Sequence, residues 1–317
     1  MSDVGDGSTA ARYVCMPGSP YTGSTLLGFL LNAHPACVSV GAATGLTPRV
    51  DVATYRCSCG EYFTQCHFWK AVAARTEELG APVNVYDTDY WNTHVRMSRR
   101  RWLNGVLVRS LGTAPLTDVR DALLGCVGPV RRTLDTARRS TASLATAVLE
   151  ITGTTVFIDT ARDHQRPKYL APTPGLDVRA IHLVRDPRGN VASIVRHTGV
   201  DVAAAARQWT HYNVEADRVR RFLPSDAWLH VRYEDLCADP RATLDRIARF
   251  IGVAPASGAF DLGAMEHHII GNSMRLRGID GIRHDERWRE QLTSSDLDVI
   301  ARLAGEASRR FGYDWPT

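Results

Sequence analysis

Glycines and hydroxyl side chains cluster near the start of the chain, between Pro17 and Thr25. An apolar run at 13–16 precedes them and predicts a buried strand, and leucines at helical spacing follow them up to His34. A glycine-rich loop between a strand and a helix presents backbone N–H groups and the positive end of the helix dipole to an anion. The pattern predicts a phosphate-binding loop made by Ser19, Tyr21, Thr22, Gly23, Ser24 and Thr25.

The spacing of this loop is close to that of a nucleotide-binding P-loop. Gly18, four further residues, Gly23 and a hydroxyl pair follow the pattern GxxxxGK[ST], but Ser24 stands where the lysine belongs. A P-loop without its lysine is a poor ATPase or kinase. The alternative is an ordinary strand, turn and helix packed in a core without any ligand. The density of hydroxyls favours the anion site.

Arg185 and Ser193 form a second candidate group. The apolar run 178–184 predicts a strand that ends at Arg185, and Ser193 lies eight residues later on the predicted following helix. A guanidinium and a hydroxyl at this spacing can both bind one phosphate. The alternative is a salt bridge at the start of the helix, from Arg185 to Asp186 or Glu234.

Polar residues also follow the apolar run 154–160, where Asp159, Arg162, Asp163 and His164 are close together. In an open parallel sheet, ligands bind at the carboxyl ends of the strands. These residues are therefore candidates for catalysis. An imidazole whose pKa lies near neutrality is the side chain best suited to act as a general base.

The chain has seven cysteines, an odd number that favours reduced thiols over a disulfide framework. Three of them lie close together with a histidine, as Cys57, Cys59, Cys66 and His67. This group has the ligand types of a zinc site, but Cys-x-Cys is tighter than the usual Cys-x2-Cys and no second pair follows. The alternatives are a structural group of thiols and a labile disulfide. We expect structural thiols and no metal.

Composition excludes several classes of protein. The chain has 317 residues, 44% hydrophobic and 23% charged, which is typical of a soluble globular protein. A net charge of +4 is too mild to indicate nucleic-acid binding, although it suits an anionic ligand. No secretion signal or membrane-spanning run is recognisable, so we expect a cytoplasmic protein without a membrane partner. The sequence does not predict an oligomeric state.

Predicted strands and helices alternate along the chain, which indicates an α/β fold with a mostly parallel central sheet flanked by helices. We find no repeat, low-complexity tract or linker, so we expect one domain over 1–317. Helices at about 68–152 are expected to form an insertion that caps an acceptor site. The strands are predicted at 13–16, 37–40, 154–160, 178–184 and 228–232, and the helices at 68–79, 99–111, 116–124, 130–152, 187–196, 201–222, 240–251 and from a cap at 293–295 to Phe311.

Together these stretches resemble the sulfotransferases that use 3′-phosphoadenosine 5′-phosphosulfate (PAPS). PGSPYTGSTLL looks like the 5′-phosphosulfate loop of that family, and HLVRDPRGNVAS looks like its 3′-phosphate motif, with Arg185 and Ser193 at matching positions. VRYEDLCADP is similar to the strand and acidic turn that come next. GNSMRLRG looks like the late basic loop that closes on the cofactor, so the resemblance assigns Arg275, Arg277 and Gly278 to the 3′-phosphate.

Two positions depart from the family pattern. Many members have Arg or Lys in the phosphosulfate loop where this chain has Tyr21, and tyrosylprotein-sulfotransferase-like members have a Glu base where it has Ala42. Arg162 stands where similar bacterial proteins often have Lys, so it is our candidate for the replacement cation. The general base stays open between Asp159 and His164, with His67 as a further candidate.

The resemblance implies a P-loop-like sulfotransferase fold that covers nearly the whole chain. It also implies that an enzyme moves a sulfuryl group from PAPS to a hydroxyl of a small-molecule acceptor, such as a natural product or a carbohydrate, and releases 3′,5′-adenosine bisphosphate (PAP) without a metal. The residues leave two alternatives, a P-loop nucleotide kinase and a non-catalytic PAP-binding protein. The acceptor itself is not predicted.

Overall fold

A five-stranded sheet forms the centre of the computed structural model, which describes residues 10–46, 50–87, 91–96, 114–256, 268–271, 276 and 281–315. The strands are β1 (Ala11–Cys15), β2 (Cys37–Gly41), β3 (Val156–Asp159), β4 (Leu176–Val184) and β5 (Trp228–Arg232). Their order is β2-β3-β1-β4-β5, and each neighbouring pair is parallel. The predicted α/β fold and its parallel sheet are confirmed, and every predicted strand is present.

Helices connect these strands, as parallel pairing requires. In the part of the chain that the structure describes they are α1 (Ser24–Asn32), α2 (His67–Glu78), α3 (Ala114–Gly125), α4 (Gly128–Thr152), α5 (Arg166–Leu170), α6 (Pro187–Thr198), α7 (Val202–Val219), α8 (Tyr233–Ala238), α9 (Pro240–Ile251), α10 (Trp288–Gln291) and α11 (Ser294–Arg310). The predicted helix at 99–111 lies outside the described residues. The short helices α5 and α8 were not predicted, because five or six residues are too few to show a helical period.

Strand β1 divides the core between the two faces of the sheet, because successive side chains point to opposite sides. Val14 and Met16 pack on one face with Leu27 and Leu30 of α1, and with apolar residues of α9. This layer holds α1, and therefore the start of α1, against the carboxyl end of β1.

The opposite face of the sheet is covered by helices from the predicted insertion. Tyr13 of β1 and Phe157 of β3 pack in one cluster with Leu144 and Val148 of α4, and with Trp69 of α2. Leu144 and Val148 are four residues apart, so they lie on the same side of α4 and form its apolar stripe. This part of the predicted insertion is therefore one of the two helix layers of the fold.

A third cluster joins α6, α7 and α11 beside the end of β4. Trp209 of α7 is fully buried against Ile300 and Ala304 of α11, and its indole Nε1 donates to the carbonyl of Arg185 at 2.9 Å. The backbone at the end of β4 is therefore held by a large buried side chain. Among the described helices, none is both long and apolar enough to cross a membrane.

Candidate functional site

The predicted phosphate loop connects β1 to α1. Gly23 caps α1 with φ +93°, and a Cβ there would lie 2.7 Å from Cδ2 of Tyr233, so the position requires glycine. Glycine has no side chain that could cap the helix. Among the described residues, the backbone N–H groups of Thr22, Gly23 and Ser24 donate to no protein acceptor. The loop therefore offers a row of donors at the positive end of a helix, which is the arrangement that binds an anion.

Two of the predicted loop hydroxyls brace the loop from inside. Ser19 is fully buried and its Oγ donates to Asn190 Oδ1 at 2.9 Å, while Asn190 Nδ2 donates to the carbonyl of Pro20 at 2.8 Å. The hydroxyl of Thr22 donates to the carbonyl of Ser19 at 3.2 Å. Asn190 was not singled out from the sequence, although it lies between the two residues of the second motif. It joins α6 to the loop and so holds both motifs together.

Arg185 connects the two motifs directly. Its Nη1 donates to Ser193 Oγ at 3.2 Å and to the carbonyl of Tyr21 at 3.3 Å. Its Nη2 donates to the carbonyl of Asp285 at 3.0 Å. The structure thus brings the predicted pair Arg185 and Ser193 together beside the phosphate loop. The remaining residues that were predicted to bind the 3′-phosphate, Arg275, Arg277 and Gly278, lie outside the described residues.

The predicted alternative for Arg185, a salt bridge at the start of the helix, is wrong. Asp186 instead pairs with Arg188, and Glu234 accepts the backbone N–H of Asp186 at 3.0 Å. The carboxylate near Arg185 is that of Asp285, whose Oδ2 lies 3.4 Å from Arg185 Nη2. This partner lies a hundred residues further along the chain, so the local sequence contained no signal for it.

Tyr21 and Arg162 lie near each other at the mouth of the loop. Tyr21 has φ 63° and stacks on His197, with ring centroids 4.9 Å apart. The side chain of Arg162 reaches solvent, yet the protein atoms around its guanidinium lower the pKa, and the nearby hydroxyls of Tyr21 and Tyr212 partly oppose that shift. Among the described residues, no carboxylate forms a salt bridge with this guanidinium. The neighbouring carboxylate of Asp163 accepts the backbone N–H of Gln165 at 3.0 Å. Arg162 is thus a cation available to a ligand beside Tyr21 of the loop.

Asp159 is enclosed by its own hydrogen bonds. The carboxylate is fully buried, accepts from Tyr13 Oη at 2.6 Å and pairs with Arg166. Its other oxygen accepts the N–H groups of Ala43 at 2.9 Å and Ala161 at 2.8 Å. Such bonding leaves no open position for an acceptor hydroxyl, so we propose a structural role for Asp159 in place of the predicted catalytic one.

His164 lies in a buried group of aromatic rings. Its centroid is 5.5 Å from that of His211 and 5.3 Å from that of Tyr212, and both contacts are edge to face. Tyr212 is also one of the two tyrosines near Arg162, so His164 and Arg162 belong to the same part of the molecule. His164 therefore lies close to the candidate site, but its imidazole is packed against the rings of His211 and Tyr212.

His67 does not join the cysteines as predicted. Its imidazole is exposed, and its Nδ1 lies 3.5 Å from Glu61 Oε2. The histidine that completes the group is His268, more than two hundred residues away in sequence. The predicted set of four is therefore wrong in one member, and the observed set is Cys57, Cys59, Cys66 and His268.

A cavity of about 420 Å³ with a mostly polar lining opens beside the segment at 91–96. Thr93 fixes the position of this segment. Its hydroxyl donates to the carbonyl of Ala43 at 2.6 Å, and its carbonyl accepts from Arg166 at 2.8 Å. Ala43 follows the carboxyl end of β2, and Arg166 pairs with Asp159, the last residue of β3, so Thr93 lies at the edge of the sheet where ligands bind. The lining residues of the cavity are Asn84, Trp91, Asn92, His94, Arg96, Pro129, Arg132, Thr133 and Thr136.

His94 is the titratable imidazole in that lining, and sequence reasoning missed it. Burial lowers the pKa of His94, and the negative charge of Asp163 partly opposes that shift. His94 is therefore neutral at neutral pH and able to accept a proton. The signal that was missed is its proximity to Asp163, which arises only when the segment at 91–96 folds back over the end of β3.

Known sulfotransferases resemble this chain in sequence and in fold. Human carbohydrate sulfotransferase 3 is 27% identical over 178 residues, which are 45% of this chain and 35% of that protein, so the match spans about a third of the length of the relative. The sulfotransferase domain from the curacin biosynthetic pathway superimposes with a TM-score of 0.51 at 16% identity, over 97% of this chain and 99% of that one. This likeness supports a shared fold.

A second solved structure and a family sequence profile also match this chain. The sulfotransferase domain of the Synechococcus PCC 7002 olefin synthase has a TM-score of 0.49 and 21% identity, over 98% of both chains. Residues 14–256 match the sequence profile of the sulfotransferase family. This match runs from β1 through the phosphate loop and the Arg185 motif to the end of α9. Because it covers well over half of the sequence, the chain belongs to the sulfotransferase family.

Proposed function

We propose that this chain is a sulfotransferase that takes the sulfuryl group of PAPS, transfers it to a hydroxyl of a small-molecule acceptor and releases PAP. The observation that carries the proposal is the convergence of two anion-binding groups. One consists of the backbone N–H groups of Thr22, Gly23 and Ser24. The other is the hydrogen-bonded pair of Arg185 and Ser193, which reaches the same loop through the carbonyl of Tyr21.

These groups fit a nucleotide with phosphates at both ends of its ribose. The loop N–H groups suit the 5′-phosphosulfate, because they combine free donors with a helix dipole. Arg185 and Ser193 suit the 3′-phosphate, because a guanidinium and a hydroxyl make charge-assisted and neutral hydrogen bonds to one group. PAPS, when bound, supplies the activated sulfuryl group.

Arg162 and the phosphate loop have the catalytic task in this proposal. Negative charge grows on the bridging oxygen of the leaving group as the bond to sulfur breaks. Donors already placed in a cleft stabilise such charge more effectively than water does. The guanidinium of Arg162 has no partner among the described residues and lies close to Tyr21 of the loop, so it is the cation assigned to this charge.

The acceptor is proposed to bind in the cavity lined by His94, Arg96 and Arg132. Two arginines and two asparagines in this lining favour a polar acceptor, with a carbohydrate or a polar natural product as the best match in chemistry. His94, neutral because of its burial, is assigned as the base that takes the proton of the acceptor hydroxyl.

A nucleotide kinase is not favoured. Ser24 stands at the lysine position of a P-loop, and the kinase reading would need Asp159 as the ligand of Mg²⁺. That carboxylate is already occupied by Tyr13 and Arg166. The chain therefore lacks the lysine of a P-loop kinase, and the carboxylate of Asp159 is not open to Mg²⁺.

The experiment is a thermal-shift comparison of PAP, ADP and AMP, followed by an assay of PAP release from PAPS with a panel of polar hydroxyl acceptors. A ligand at a hundred times its Kd stabilises the protein by about 2.7 kcal/mol, which is easily measured. We expect the largest shift for PAP. Arg185→Ala should weaken PAP far more than AMP, because only PAP has the group assigned to Arg185.

The control is Arg310→Ala, which removes an exposed arginine whose partner among the described residues is Glu306, at 3.8 Å, and should leave PAP binding unchanged. Equal stabilisation by PAP and ADP would contradict the assignment of the 3′-phosphate. Tight binding of PAP without turnover on any acceptor would instead favour a non-catalytic PAP-binding protein.

A further inference from the structure

Three thiols and one imidazole converge at the start of α2. Their sulfur and nitrogen atoms all lie within 4.8 Å of one another. Two of the cysteines are buried, and the other two side chains are half-buried. The members of this group, which we name the thiol–imidazole cluster, are Cys57, Cys59, Cys66 and His268.

The spacing within the cluster is that of a tetrahedral metal site. Cys59 Sγ and Cys66 Sγ are 3.8 Å apart, and His268 Nδ1 lies 3.5 Å from Cys66 Sγ and 3.7 Å from Cys57 Sγ. Around a tetrahedral zinc ion with Zn–S of about 2.3 Å and Zn–N of about 2.0 Å, two sulfurs are separated by about 3.8 Å and a sulfur and a nitrogen by about 3.5 Å. These three separations are within about 0.2 Å of the matching edges of a zinc tetrahedron, and the remaining pairs of ligand atoms lie within 4.8 Å.

The local backbone explains how one short segment supplies three ligands. The N–H of Cys57 donates to the carbonyl of Glu61 at 2.9 Å, and the N–H of Gly60 donates back to the carbonyl of Cys57 at 3.0 Å. This tight turn places Cys59 at its tip. Cys66 follows as the N-cap residue of α2, so its side chain is fixed at the start of a helix.

The fourth side chain is oriented from outside the turn. The ring of His268 stacks on Phe68 with centroids 4.3 Å apart and planes only 2° from parallel. The N–H of the next residue, Ile269, donates to Ser58 Oγ at 2.7 Å. These two contacts fix the ring plane of His268 and its position beside the thiols.

We propose that Cys57, Cys59, Cys66 and His268 bind one zinc ion. A Cys₃His set in which the protein supplies all four ligands is the composition of a structural site, since no position is left for water or substrate. A disulfide is the poorer explanation, because an S–S bond is about 2.05 Å long and all the described cysteines are free thiols. The proposal replaces our sequence-based expectation that no metal binds.

The ion would fasten a distant segment to the body of the protein. Residues 268–271 already contact the sheet through the N–H of Ile270, which donates to the carbonyl of Val40 at 2.9 Å. They also contact Tyr55, whose hydroxyl accepts the N–H of Gly271 at 2.8 Å. In sequence, this segment directly precedes the basic stretch 272–278. Zinc would therefore anchor the chain just before that stretch.

The direct test is the metal content of the intact reduced chain after purification with zinc present and removal of loosely bound ions. We expect one zinc per chain by elemental analysis. Replacement by Co²⁺ should give the strong visible absorption and sulfur-to-cobalt charge-transfer bands of a tetrahedral thiolate site. Both readouts are independent of enzymatic activity.

Variants then assign the ligands. Cys59→Ser and His268→Asn should each lower zinc retention by an order of magnitude or more, since loss of one of four ligands weakens the site. His67→Asn is the matched control for His268, and Cys126→Ser, at an exposed cysteine, is the control for the thiols. Both controls should retain one zinc.

Three results would overturn the proposal. The first is a wild-type chain that is folded by circular dichroism, fully reduced by thiol titration and still substoichiometric in zinc after incubation with the ion. The second is a Cys59–Cys66 disulfide, found by mass spectrometry in protein purified without reductant, together with no zinc uptake after reduction. The third is zinc loss in His67→Asn but not in His268→Asn, which would refute the ligand set.

Discussion

Asp285 Oδ2 lies 3.4 Å from Nη2 of Arg185, on the guanidinium that we assign to the 3′-phosphate of PAPS. A hydrogen bond from Arg287, together with the charge of Arg185, holds the pKa of Asp285 well below its usual range, so the carboxylate is ionised at neutral pH. An anion of the protein therefore lies where an anion of the nucleotide is expected. The two should compete for the same guanidinium.

The first prediction follows from that competition. Asp285→Asn should tighten PAP binding roughly three- to tenfold, because about 1 kcal/mol of ion-pair energy no longer has to be displaced. Isothermal titration with PAP measures the change. Glu286→Gln is the control, since the carboxylate of Glu286 pairs with Arg289 at 2.9 Å rather than with Arg185. Weaker binding in Asp285→Asn would mean that Asp285 orients Arg185 instead of competing with the ligand.

The second prediction concerns Arg162. Arg162→Ala should lower turnover by about 10²–10³, the usual effect of removing a donor aimed at developing charge, while PAP binding weakens much less. Arg162→Lys should recover part of the rate, because the charge is kept and only the donor geometry changes. Steady-state assays and PAP titrations on both variants test this. Turnover of Arg162→Ala within a few-fold of wild type would leave the leaving-group charge to the loop N–H groups alone.

The third prediction concerns Gly23. Gly23→Ala should destabilise the fold by about 1–3 kcal/mol from backbone strain at φ +93°, with a further cost from the contact with Tyr233, and should abolish measurable PAP binding. Gly153→Ala is a matched control, because its φ is +67° and a Cβ there meets nothing within 4 Å. It should show the strain without the loss of binding. Equal PAP affinity in the two variants would argue against the loop as the phosphate site.

The fourth prediction separates two candidate bases. His94→Gln should lower turnover by about 10²–10⁴, the range typical of general base catalysis, and should remove the acid limb of the pH–rate profile. His164→Gln should cost far less, because the ring of His164 is packed against His211 and Tyr212. The opposite ranking would assign the base to His164, one of the candidates that the sequence left open.

The fifth prediction concerns stability in acid. Burial lowers the pKa of His182 to about 3, where its Nε2 lies 3.1 Å from Asn213 Oδ1. The native imidazole stays neutral while the unfolded one takes up a proton below its ordinary pKa of about 6.5, so stability is present above that pH and is lost as the pH falls from about 6.5 toward 3.

For this residue alone, the free energy of unfolding should fall by about 2 kcal/mol between pH 7 and pH 5. His182→Gln, which cannot titrate, should show a correspondingly flatter dependence in urea titrations at the two pH values. His67→Gln is the control for the loss of an imidazole as such, because the imidazole of His67 is exposed. An unchanged slope in His182→Gln would place the acid sensitivity elsewhere.

The sequence predicted the strands well because each is a short apolar run that ends in a polar residue or a break. The run at 178–184 became β4, and Thr293, predicted as a helix cap, donates to and accepts from Asp296 as the cap of α11. In contrast, the role of the insertion was only partly foreseen. The apolar stripe of α4 shows that it packs on something, but not that its partner is the central sheet.

The site was predictable where its residues are neighbours in sequence. Arg185 and Ser193 are eight residues apart on one strand–helix unit, and their side chains are in contact as the spacing implied. The bond from Tyr13 to Asp159, on which the proposed structural role of Asp159 depends, spans 146 residues, and His268 was missed because 202 residues separate it from Cys66. Pairings over such distances depend on the packed fold, and a single sequence carries no local pattern for them.

The approach of Gly41 to Ile270 has a consequence for how the chain is made. A Cβ at Gly41 would lie 2.0 Å from the carbonyl oxygen of Ile270, so the two backbones meet with room for hydrogen alone. Gly41 ends β2, which is an edge strand of the sheet. During synthesis that end stays uncovered until residue 270 has left the ribosome, and an uncovered edge can pair with another nascent chain. A side chain at position 41 would keep the edge open in the finished protein, so aggregation during expression should be the first symptom of such a change.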